Sequence, residues 1–290
     1  MDHRRRRLLR LLASLPLAAA LPAPARDGMA FGLTPVILDD QLGFLNQWKQ
    51  WFEARLHTRL TFVQRLKYRD ITDALLDEQL DAAWVCGYPY VRNRPYMELV
   101  AVPVYGGKPT YHSFIIRNHR LEGIQRIQQL KGRVFAYSDP DSNSGYLYPT
   151  YRFYQLGIRP QRFFRKTFFT WAHRNTVDAV ASGLADAGAV DSYIWEQYRV
   201  HHPEVVRNTV VIERSPAFAF PPIVVRNTLP QSKKQQLQRI LTGMTGDLQG
   251  RLLLRELGLD GFTPGSDALF AGIEGMWKTL SAHLGWLRQT

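Results

Sequence analysis

Short apolar segments alternate with helical segments along most of this chain, and that alternation restricts its fold more than any other feature. The first example begins with the apolar segment Met29–Pro35 and continues with a helical spacing of apolar residues from Leu42 to Leu56. The segment Thr58–Gln64 then alternates between apolar and polar residues, as a half-buried strand does. A strand, a helix and a second strand in this order favour a β-α-β unit, so the sequence predicts an α/β protein with a largely parallel sheet.

The same alternation recurs in the second half of the chain. Residues 112–210 again consist of predicted strands separated by predicted helices, and a chain of 290 residues is long enough for two such units. We therefore predict two α/β lobes around a hinged cleft. Lobe 1 comprises residues 26–111 and 213–290 and includes the C-terminal helices, and lobe 2 comprises residues 112–212. The cleft between the lobes is the expected ligand site.

Several further helices and one strand are predicted from single residues or from short stretches of the sequence. Asp70 is a suitable cap for a helix over Ile71–Gln79. Further segments are predicted from their apolar spacing: helices over Leu121–Gln129, Tyr146–Leu156 and His173–Ser182, and a strand over Phe163–Phe169.

The N-terminus has the three parts of a secretory signal peptide. A cluster of arginines precedes an apolar run from Leu8 to Leu21, and Ala23 and Ala25 fit a small-residue cleavage site. We therefore expect residues 1–25 to be a signal peptide and the mature protein to be periplasmic. The other interpretation is a basic amphipathic helix on a membrane surface.

Composition and motifs exclude several classes of protein. Cys86 is the single cysteine, so no disulfide within the chain is possible. The formal net charge is +12, but beyond the N-terminus the basic residues are scattered singly along the sequence, which indicates attraction to small anions rather than nucleic acid. We find no zinc-ligand spacing, Walker loop, nucleophile elbow or dinucleotide-binding glycine motif. We expect a monomeric protein with no metal, no cofactor and no catalytic activity.

The loop SDPDSNSGYLYP, residues 138–149, places many hydrogen-bond donors just before a predicted helix. Asp139 and the proline after it favour a turn, and Ser142 or Ser144 suits a helix N-cap. With Asn143 between them, these side chains could surround an oxyanion together with the unpaired N–H groups of the first helical turn. The simpler interpretation is that one serine only caps the helix.

Tyrosines form a second group of candidate binding residues. They lie at predicted strand ends or in the loops that follow, where α/β sheets place their ligands. A tyrosine hydroxyl can donate a hydrogen bond while its ring excludes water, although each could also be a residue at the edge of the core. The tyrosines are Tyr68, Tyr88, Tyr90 and Tyr111.

Three single residues are further candidates. His173 begins a predicted helix, where it could donate to a bound anion or lie on the surface without a role. Asp191 follows a predicted strand and could orient a ligand hydroxyl, pair with a cationic group or cap the next helix. Cys86 ends another strand and is either a small buried apolar residue or a thiol that faces the cleft.

Several segments occur in the order typical of one known family, and the sequence resembles that family over nearly the whole chain beyond the signal. These segments include Gly32-Leu-Thr-Pro35, Leu80-Asp-Ala-Ala-Trp84, Gly107-Lys-Pro-Thr-Tyr-His-Ser113, Asp139-Pro-Asp-Ser-Asn-Ser-Gly145 and Gly183-x-Ala-Asp-Ala-Gly-Ala-Val-Asp191. The family is that of the periplasmic binding proteins for phosphonate, phosphite and phosphate of ABC transporters, which have the type II periplasmic binding protein fold.

The resemblance implies a bilobed protein that closes on a small oxyanion and delivers it to an ABC transporter permease. Ser142, Asn143 and Ser144 would hold the anion's oxygens with the helix N-terminus, and His173 would donate from the same lobe. Tyr68 and Tyr111 would contribute from lobe 1 and the crossover, and Asp191 or its neighbour Tyr193 would face the ligand's substituent.

Two departures from the family pattern affect the expected ligand. The stretch Ser215–Pro222 contains no acid, which argues against a ligand with an amino group. Cys86 stands where family members more often have a Gly-Pro or Tyr-Gly pair, and a thiol is a soft donor. The alternative function is therefore a sensor subunit that presents an oxyanion such as arsenite to a membrane histidine kinase.

Overall fold

The computed structural model describes residues 28–35 and 42–283. The predicted signal peptide, residues 1–25, lies outside these ranges. No helix in the described part of the chain is long and apolar enough to cross a membrane. The described chain forms a six-stranded sheet, a five-stranded sheet and a two-stranded ribbon.

The helices and strands alternate through both halves of the chain. The strands are β1 (Met29–Leu33), β2 (Leu60–Gln64), β3 (Ala82–Trp84), β4 (Met97–Val104), β5 (Thr110–Tyr111), β6 (Ser113–Asn118), β7 (Val134–Tyr137), β8 (Lys166–Phe169), β9 (Ala187–Asp191), β10 (Thr209–Arg214), β11 (Phe218–Ala219), β12 (Ile223–Arg226) and β13 (Gly261–Thr263). The helices are α1 (Leu42–Leu56), α2 (Tyr68–Leu76), α3 (Gly87–Asn93), α4 (Tyr148–Gln155), α5 (Pro160–Phe163), α6 (His173–Ser182), α7 (Ser192–His201), α8 (Pro203–Val206), α9 (Gln231–Thr242), α10 (Leu248–Glu256) and α11 (Ala271–Ala282).

The six-stranded sheet belongs to lobe 1 and has the spatial order β13-β4-β12-β3-β1-β2. β1 pairs in parallel with β2 and β3, as β-α-β units do. β12 is antiparallel to β3 and β4, and β13 is antiparallel to β4. The prediction of a largely parallel sheet is therefore wrong for this lobe. β12 belongs to the segment that returns from lobe 2, so no crossover helix sets its direction.

An aromatic core holds α1 on this sheet. Trp48 is fully buried, and its ring centroid lies 5.2 Å from that of Phe62, 5.4 Å from that of Phe52 and 6.0 Å from that of Trp84. The apolar residues of α1 recur every three or four positions, so they form one face that packs against the strands. This packing gives lobe 1 a rigid base below the strand ends.

The five-stranded sheet belongs to lobe 2 and has the order β10-β6-β9-β7-β8. β7 is parallel to both β8 and β9, whereas β6 is antiparallel to β9 and to β10. β5 and β11, which pair in antiparallel fashion, form the ribbon at the two places where the chain passes between the lobes. Tyr111 on β5 therefore lies at the crossover itself.

Three of the local predictions are wrong in detail. α2 begins at Tyr68 with Lys67 at its N-cap position, so Asp70 lies inside the first turn and is not the cap. Within Leu121–Gln129 the only helical residues form a short 3₁₀ turn at its end, Ile127–Leu130.

The third correction concerns the segment before β8. The predicted strand Phe163–Phe169 is limited to β8, because Pro160 starts the short helix α5 immediately before it. Proline suits the first helical position, since its fixed backbone angle is already helical and its missing N–H would have had no helical partner.

Candidate functional site

The candidate site lies where strands of both sheets end. Ser142 follows β7, His173 follows β8, and Asp191 is the last residue of β9, so these residues share the carboxyl edge of three parallel strands. In lobe 1, Tyr68 follows β2 and Cys86 follows β3. The carboxyl ends of parallel strands are the usual place for ligands in α/β proteins.

The loop after β7 is shaped by its own polar groups. Asp139 Oδ1 accepts a hydrogen bond from the N–H of Asp141 at 2.7 Å. Ser142 Oγ then accepts from the N–H of Gly145 at 2.9 Å, which confirms the predicted cap. The capped segment, Asn143–Leu147, is a π-helical turn that continues into α4. Such turns are rare and frequently occur at functional sites.

His173 is held as one tautomer. The N–H of Asp191 donates to His173 Nδ1 at 3.1 Å, so the ring proton is on Nε2. Nε2 lies 3.4 Å from Ser142 Oγ. Burial lowers the pKa of His173 to about 3, because the charged ring would lose its hydration. At neutral pH the imidazole is therefore an uncharged donor.

Ser142 Oγ receives two hydrogen bonds, from the N–H of Gly145 and from Nε2–H of His173. A hydroxyl oxygen has two acceptor positions, so both are occupied and the hydroxyl proton of Ser142 is left to be donated to a third group. The residue is fully buried. The arrangement thus turns Ser142 into an oriented donor.

Three other polar atoms here are buried without a hydrogen-bond partner: Tyr68 Oη, Ser144 Oγ and Asn143 Oδ1. Leaving a buried polar group unpaired costs about 1–3 kcal/mol. Folded proteins keep few such groups, so unpaired donors and an acceptor beside Ser142 indicate a place for a polar ligand. We call the following residues the polar cluster: Tyr68, Tyr111, Ser142, Asn143, Ser144 and His173.

Contacts between the lobes converge on this cluster. The N–H of Tyr68 donates to Asp139 Oδ2 at 3.2 Å, and the N–H of Asn143 donates to Cys86 Sγ at 3.2 Å. Asn143 Nδ2 donates to Tyr111 Oη at 3.0 Å. Lobe 1, lobe 2 and the crossover therefore each supply residues to one buried site.

Burial also raises the pKa values of the remaining ionisable groups of the site. It raises the pKa values of Tyr68 and Tyr111 well above their ordinary range and that of the Cys86 thiol to about 11. Burial raises the pKa of Asp139 to about 6, although the N–H groups of Asp141 and Tyr68 lower it. At neutral pH the two hydroxyls and the thiol are neutral donors or acceptors.

The Asp191 side chain acts as a helix cap. Its Oδ1 accepts from the N–H of Tyr193 at 2.8 Å and of Ile194 at 3.3 Å, at the start of α7. Burial raises its pKa to about 8 and outweighs these two bonds, which lower it. The capping interpretation is confirmed, and the backbone N–H of Asp191 additionally fixes His173.

Tyr88 lies at the rim of the site and not among the polar cluster. Its half-buried ring is 5.3 Å from the guanidinium carbon of Arg92. Arg92 in turn pairs with Asp141 at 2.8 Å, and Arg69 pairs with the same carboxylate at 3.1 Å. Both arginines belong to lobe 1 and Asp141 to lobe 2, so these ion pairs join the lobes around the site.

Sequence reasoning missed the residues that support the cluster from below. Ser113 Oγ donates to the carbonyl of Ser144 at 2.6 Å. A Cβ at Gly145 would lie 1.5 Å from Ser138 Oγ, so this glycine is required by the close approach of Ser138. Ser138 begins the loop, but nothing in the sequence indicated that it lies beneath Gly145.

A bilobed α/β fold with a buried polar cluster between its lobes defines a binding protein of the periplasmic type. A family model described as "ABC transporter, phosphonate, periplasmic substrate-binding protein" matches residues 31–270. The chain belongs to this family, whose members are substrate-binding proteins and not enzymes.

Individual relatives are distant. The chain is 23% identical over 180 residues to the probable ABC transporter phosphite binding protein PhnD1 of Prochlorococcus marinus, and the match covers 60% of this chain and 61% of that protein, less than two thirds of its length. It is 24% identical over 259 residues to the phosphonates-binding periplasmic protein of Escherichia coli, with 85% of this chain and 75% of that protein covered.

The structure of PhnD1 from Prochlorococcus marinus in complex with methylphosphonate superimposes with a TM-score of 0.80 at 21% sequence identity. The superposition covers 88% of this chain and 98% of that one. The likeness confirms the predicted fold class, the bilobed type II periplasmic binding protein fold.

Proposed function

We propose that the protein captures a small oxyanion of the phosphonate, phosphite or phosphate type in the polar cluster. The observation that carries this proposal is the set of buried hydroxyl donors without acceptors: Tyr68 Oη and Ser144 Oγ, with the proton of Ser142 also free. An oxyanion offers several acceptor oxygens within a few ångströms, so it would satisfy these donors together. Hydrogen bonds to a charged group contribute about 1.5–3 kcal/mol each.

The ligand's charge would be balanced without a full positive charge in the cluster. His173 is neutral, and the nearby cations Arg69 and Arg92 are paired with Asp141. The helical turn that begins at Asn143 has its N-terminus, with its partial positive charge, at the site. Oriented dipoles of this kind stabilise an anion that has left water.

The origin of the donors supports the proposal of lobe closure. Tyr68 comes from lobe 1, Ser142 and Ser144 from lobe 2, and Tyr111 from the crossover. An anion that binds all of them would favour the closed over the open arrangement by these contacts. We infer that closure, and delivery of the closed complex to an ABC transporter permease in the periplasm, are the protein's mode of action.

The acceptor in the cluster narrows the ligand class. Asn143 Oδ1 is buried and unpaired, so a ligand oxygen that still carries a proton would satisfy it. The monoprotonated anions of phosphonate, phosphite and phosphate carry a proton on oxygen, and sulfate does not. The relatives include a phosphite binding protein and a phosphonates-binding protein, which supports the same class. The stretch Ser215–Pro222, without an acid, disfavours an amino-bearing ligand.

Titration calorimetry with phosphite, phosphate, methylphosphonate and sulfate tests the proposal. At least one phosphorus oxyanion should bind, and sulfate should bind far more weakly. A Ser142→Ala, Ser144→Ala variant should lose at least about a hundredfold in affinity, because two bonds to a charged ligand are removed. The control is Ser232→Ala, Ser281→Ala, two serines of lobe 1 helices, which should bind as the unaltered protein does. Full affinity in the first variant would refute the proposed site.

The sensor alternative stays a prediction. An arsenite ligand would need a thiolate, but burial raises the pKa of Cys86 to about 11 and its sulfur already accepts the N–H of Asn143. We expect Cys86→Ser to leave any thermal stabilisation by arsenite unchanged. Loss of an arsenite response in this variant would favour the alternative.

A further inference from the structure

Basic residues that are scattered in the sequence come together on the side of lobe 2 that lies away from the polar cluster. β7, β8 and β9 are parallel, so their amino ends share the edge opposite to the site. At this edge the N–H of Arg165 donates to the carbonyl of Arg133 at 2.9 Å. The N–H of Asp186 donates to the carbonyl of Val134 at 3.0 Å. These bonds place the segments before the three strands side by side.

Six exposed cations come from two of these segments, and we call them the distal basic face. They are Lys131, Arg133, Arg159, Arg162, Arg165 and Lys166. Residues 125–135 and 157–168 contain no acidic residue. Among the described residues, Asp186 is the one acidic residue that forms an ion pair with this face, and its carboxylate lies 3.8 Å from Arg133. The face therefore carries a concentrated and largely uncompensated positive charge.

An exposed leucine lies at the same edge. Leu184 is separated from the start of β9 by Ala185 and Asp186, and its side chain is 69% exposed. The N–H of Val134 donates to Asp186 Oδ2 at 2.8 Å, which fixes this loop against β7 next to Arg133. A large apolar side chain directed to solvent beside a group of cations is the composition of surfaces that bind lipid headgroups and insert into the acyl boundary.

We propose that the distal basic face, together with Leu184, binds the surface of an anionic phospholipid membrane. A continuous negative surface can neutralise cations that are spread over a sheet edge. Leu184 distinguishes a lipid surface from a nucleic acid or another soluble polyanion, because only the lipid offers an apolar layer below its charges. The cleft lies at the opposite edge of the sheet, so membrane contact leaves ligand entry uncovered.

Vesicle co-sedimentation tests the proposal on the full chain at low and high salt. The vesicles are phosphatidylcholine alone or phosphatidylcholine with phosphatidylglycerol. A variant with Arg162→Gln, Arg165→Gln and Lys166→Gln removes half of the face. Its matched control is Lys233→Gln, Arg239→Gln and Arg255→Gln, three exposed cations of lobe 1. Every variant keeps the arginine-rich N-terminus, so differences between variants, and not the binding of the unaltered protein alone, report on the distal basic face.

The unaltered protein should sediment with the anionic vesicles and be released by salt. Each basic residue near such a surface contributes about fivefold in affinity, so the lobe 2 variant should lose on the order of a hundredfold. The lobe 1 control should lose much less, and Leu184→Ser should lower the salt concentration at which the protein is released. Unchanged calorimetric affinity for the oxyanion would show that the lobe 2 variant is folded.

Three outcomes would overturn the proposal. They are no binding to anionic vesicles at low salt, equal losses in the lobe 1 and lobe 2 variants, and equal binding to vesicles without phosphatidylglycerol. Binding to heparin with none to vesicles would also overturn it, since the partner would then be a soluble polyanion.

Discussion

Replacing His173 by glutamine should remove a specific part of the protein's sensitivity to acid. The folded protein keeps this imidazole neutral, with a pKa lowered from 6.5 to about 3 by burial. The unfolded chain takes up a proton at the histidine below pH 6.5, while the folded chain does not do so until about pH 3. Stability from this residue is therefore fully present above the unfolded pKa and is lost as pH falls toward the folded one.

The size of the effect follows from the linkage relation. Across this window the free energy of unfolding falls by about 1.4 kcal/mol per pH unit for one proton. At pH 5 the loss amounts to about 2 kcal/mol relative to neutral pH. Glutamine cannot take up this proton, but its amide can still accept the N–H of Asp191 and donate toward Ser142. The Gln variant should therefore lack the slope even if it is less stable at neutral pH.

Urea unfolding of both proteins between neutral pH and pH 5 measures the slope. Carboxyl groups titrate alike in the two proteins, so the difference between their free energies of unfolding isolates His173. His202→Gln is the control, because it replaces an exposed histidine by the same amide side chain. If His173→Gln and the unaltered protein lose stability in parallel as pH falls, His173 is not held neutral and the assigned tautomer is wrong.

Other substitutions test the close packing at Gly145, the ion pairs of Asp141 between the lobes, and the aromatic core of lobe 1. Gly145→Ala should destabilise the protein by about 1–3 kcal/mol in denaturant unfolding, because the new Cβ would lie 1.5 Å from Ser138 Oγ, and adding Ser138→Gly should restore most of the loss. Asp141→Asn should weaken oxyanion binding by no more than about fivefold in calorimetry, because its arginine partners are 60% and 35% exposed. Trp48→Ala should lower the free energy of unfolding by about 3–5 kcal/mol, since the ring is fully buried; a loss below about 1 kcal/mol would contradict the core described above.

Two helices, α1 and α6, were predicted with both of their ends. The structure places α1 at Leu42–Leu56 and α6 at His173–Ser182, as the spacing predicts. Strand direction could not be read in the same way. β12 pairs with β3 across more than a hundred residues, and its antiparallel direction depends on where the chain returns from lobe 2.

The site was predictable where its residues are contiguous. Ser142, Asn143 and Ser144 follow one another, so their shared loop is visible in the sequence. Arg69 and Arg92 are 72 and 49 residues away from their partner Asp141, among many other arginines. The distal basic face shows the same limit, because its cations are single residues in the sequence and meet only at the amino edge of the folded sheet.

The ion pairs between Asp141 and the two arginines at the rim of the site can be compared in strength with the hydrogen bonds of the polar cluster. The stronger set would govern closure of the lobes. The pairs of Asp141 with Arg69 and Arg92 join the lobes through protein groups alone. The Asp141 carboxylate is buried, but its partners Arg69 and Arg92 are 60% and 35% exposed, so water and salt screen both pairs. Pairs screened in this way contribute about 0–1 kcal/mol each. Bonds from Tyr68, Ser142 and other buried donors to an anion would contribute about 1.5–3 kcal/mol each. Under the proposed function, these ion pairs would align the lobes as they approach but would be too weak to hold them closed once the ligand leaves. Stronger, fully buried ion pairs between the lobes would keep the protein closed before it binds a ligand. Closure would then no longer depend on the ligand.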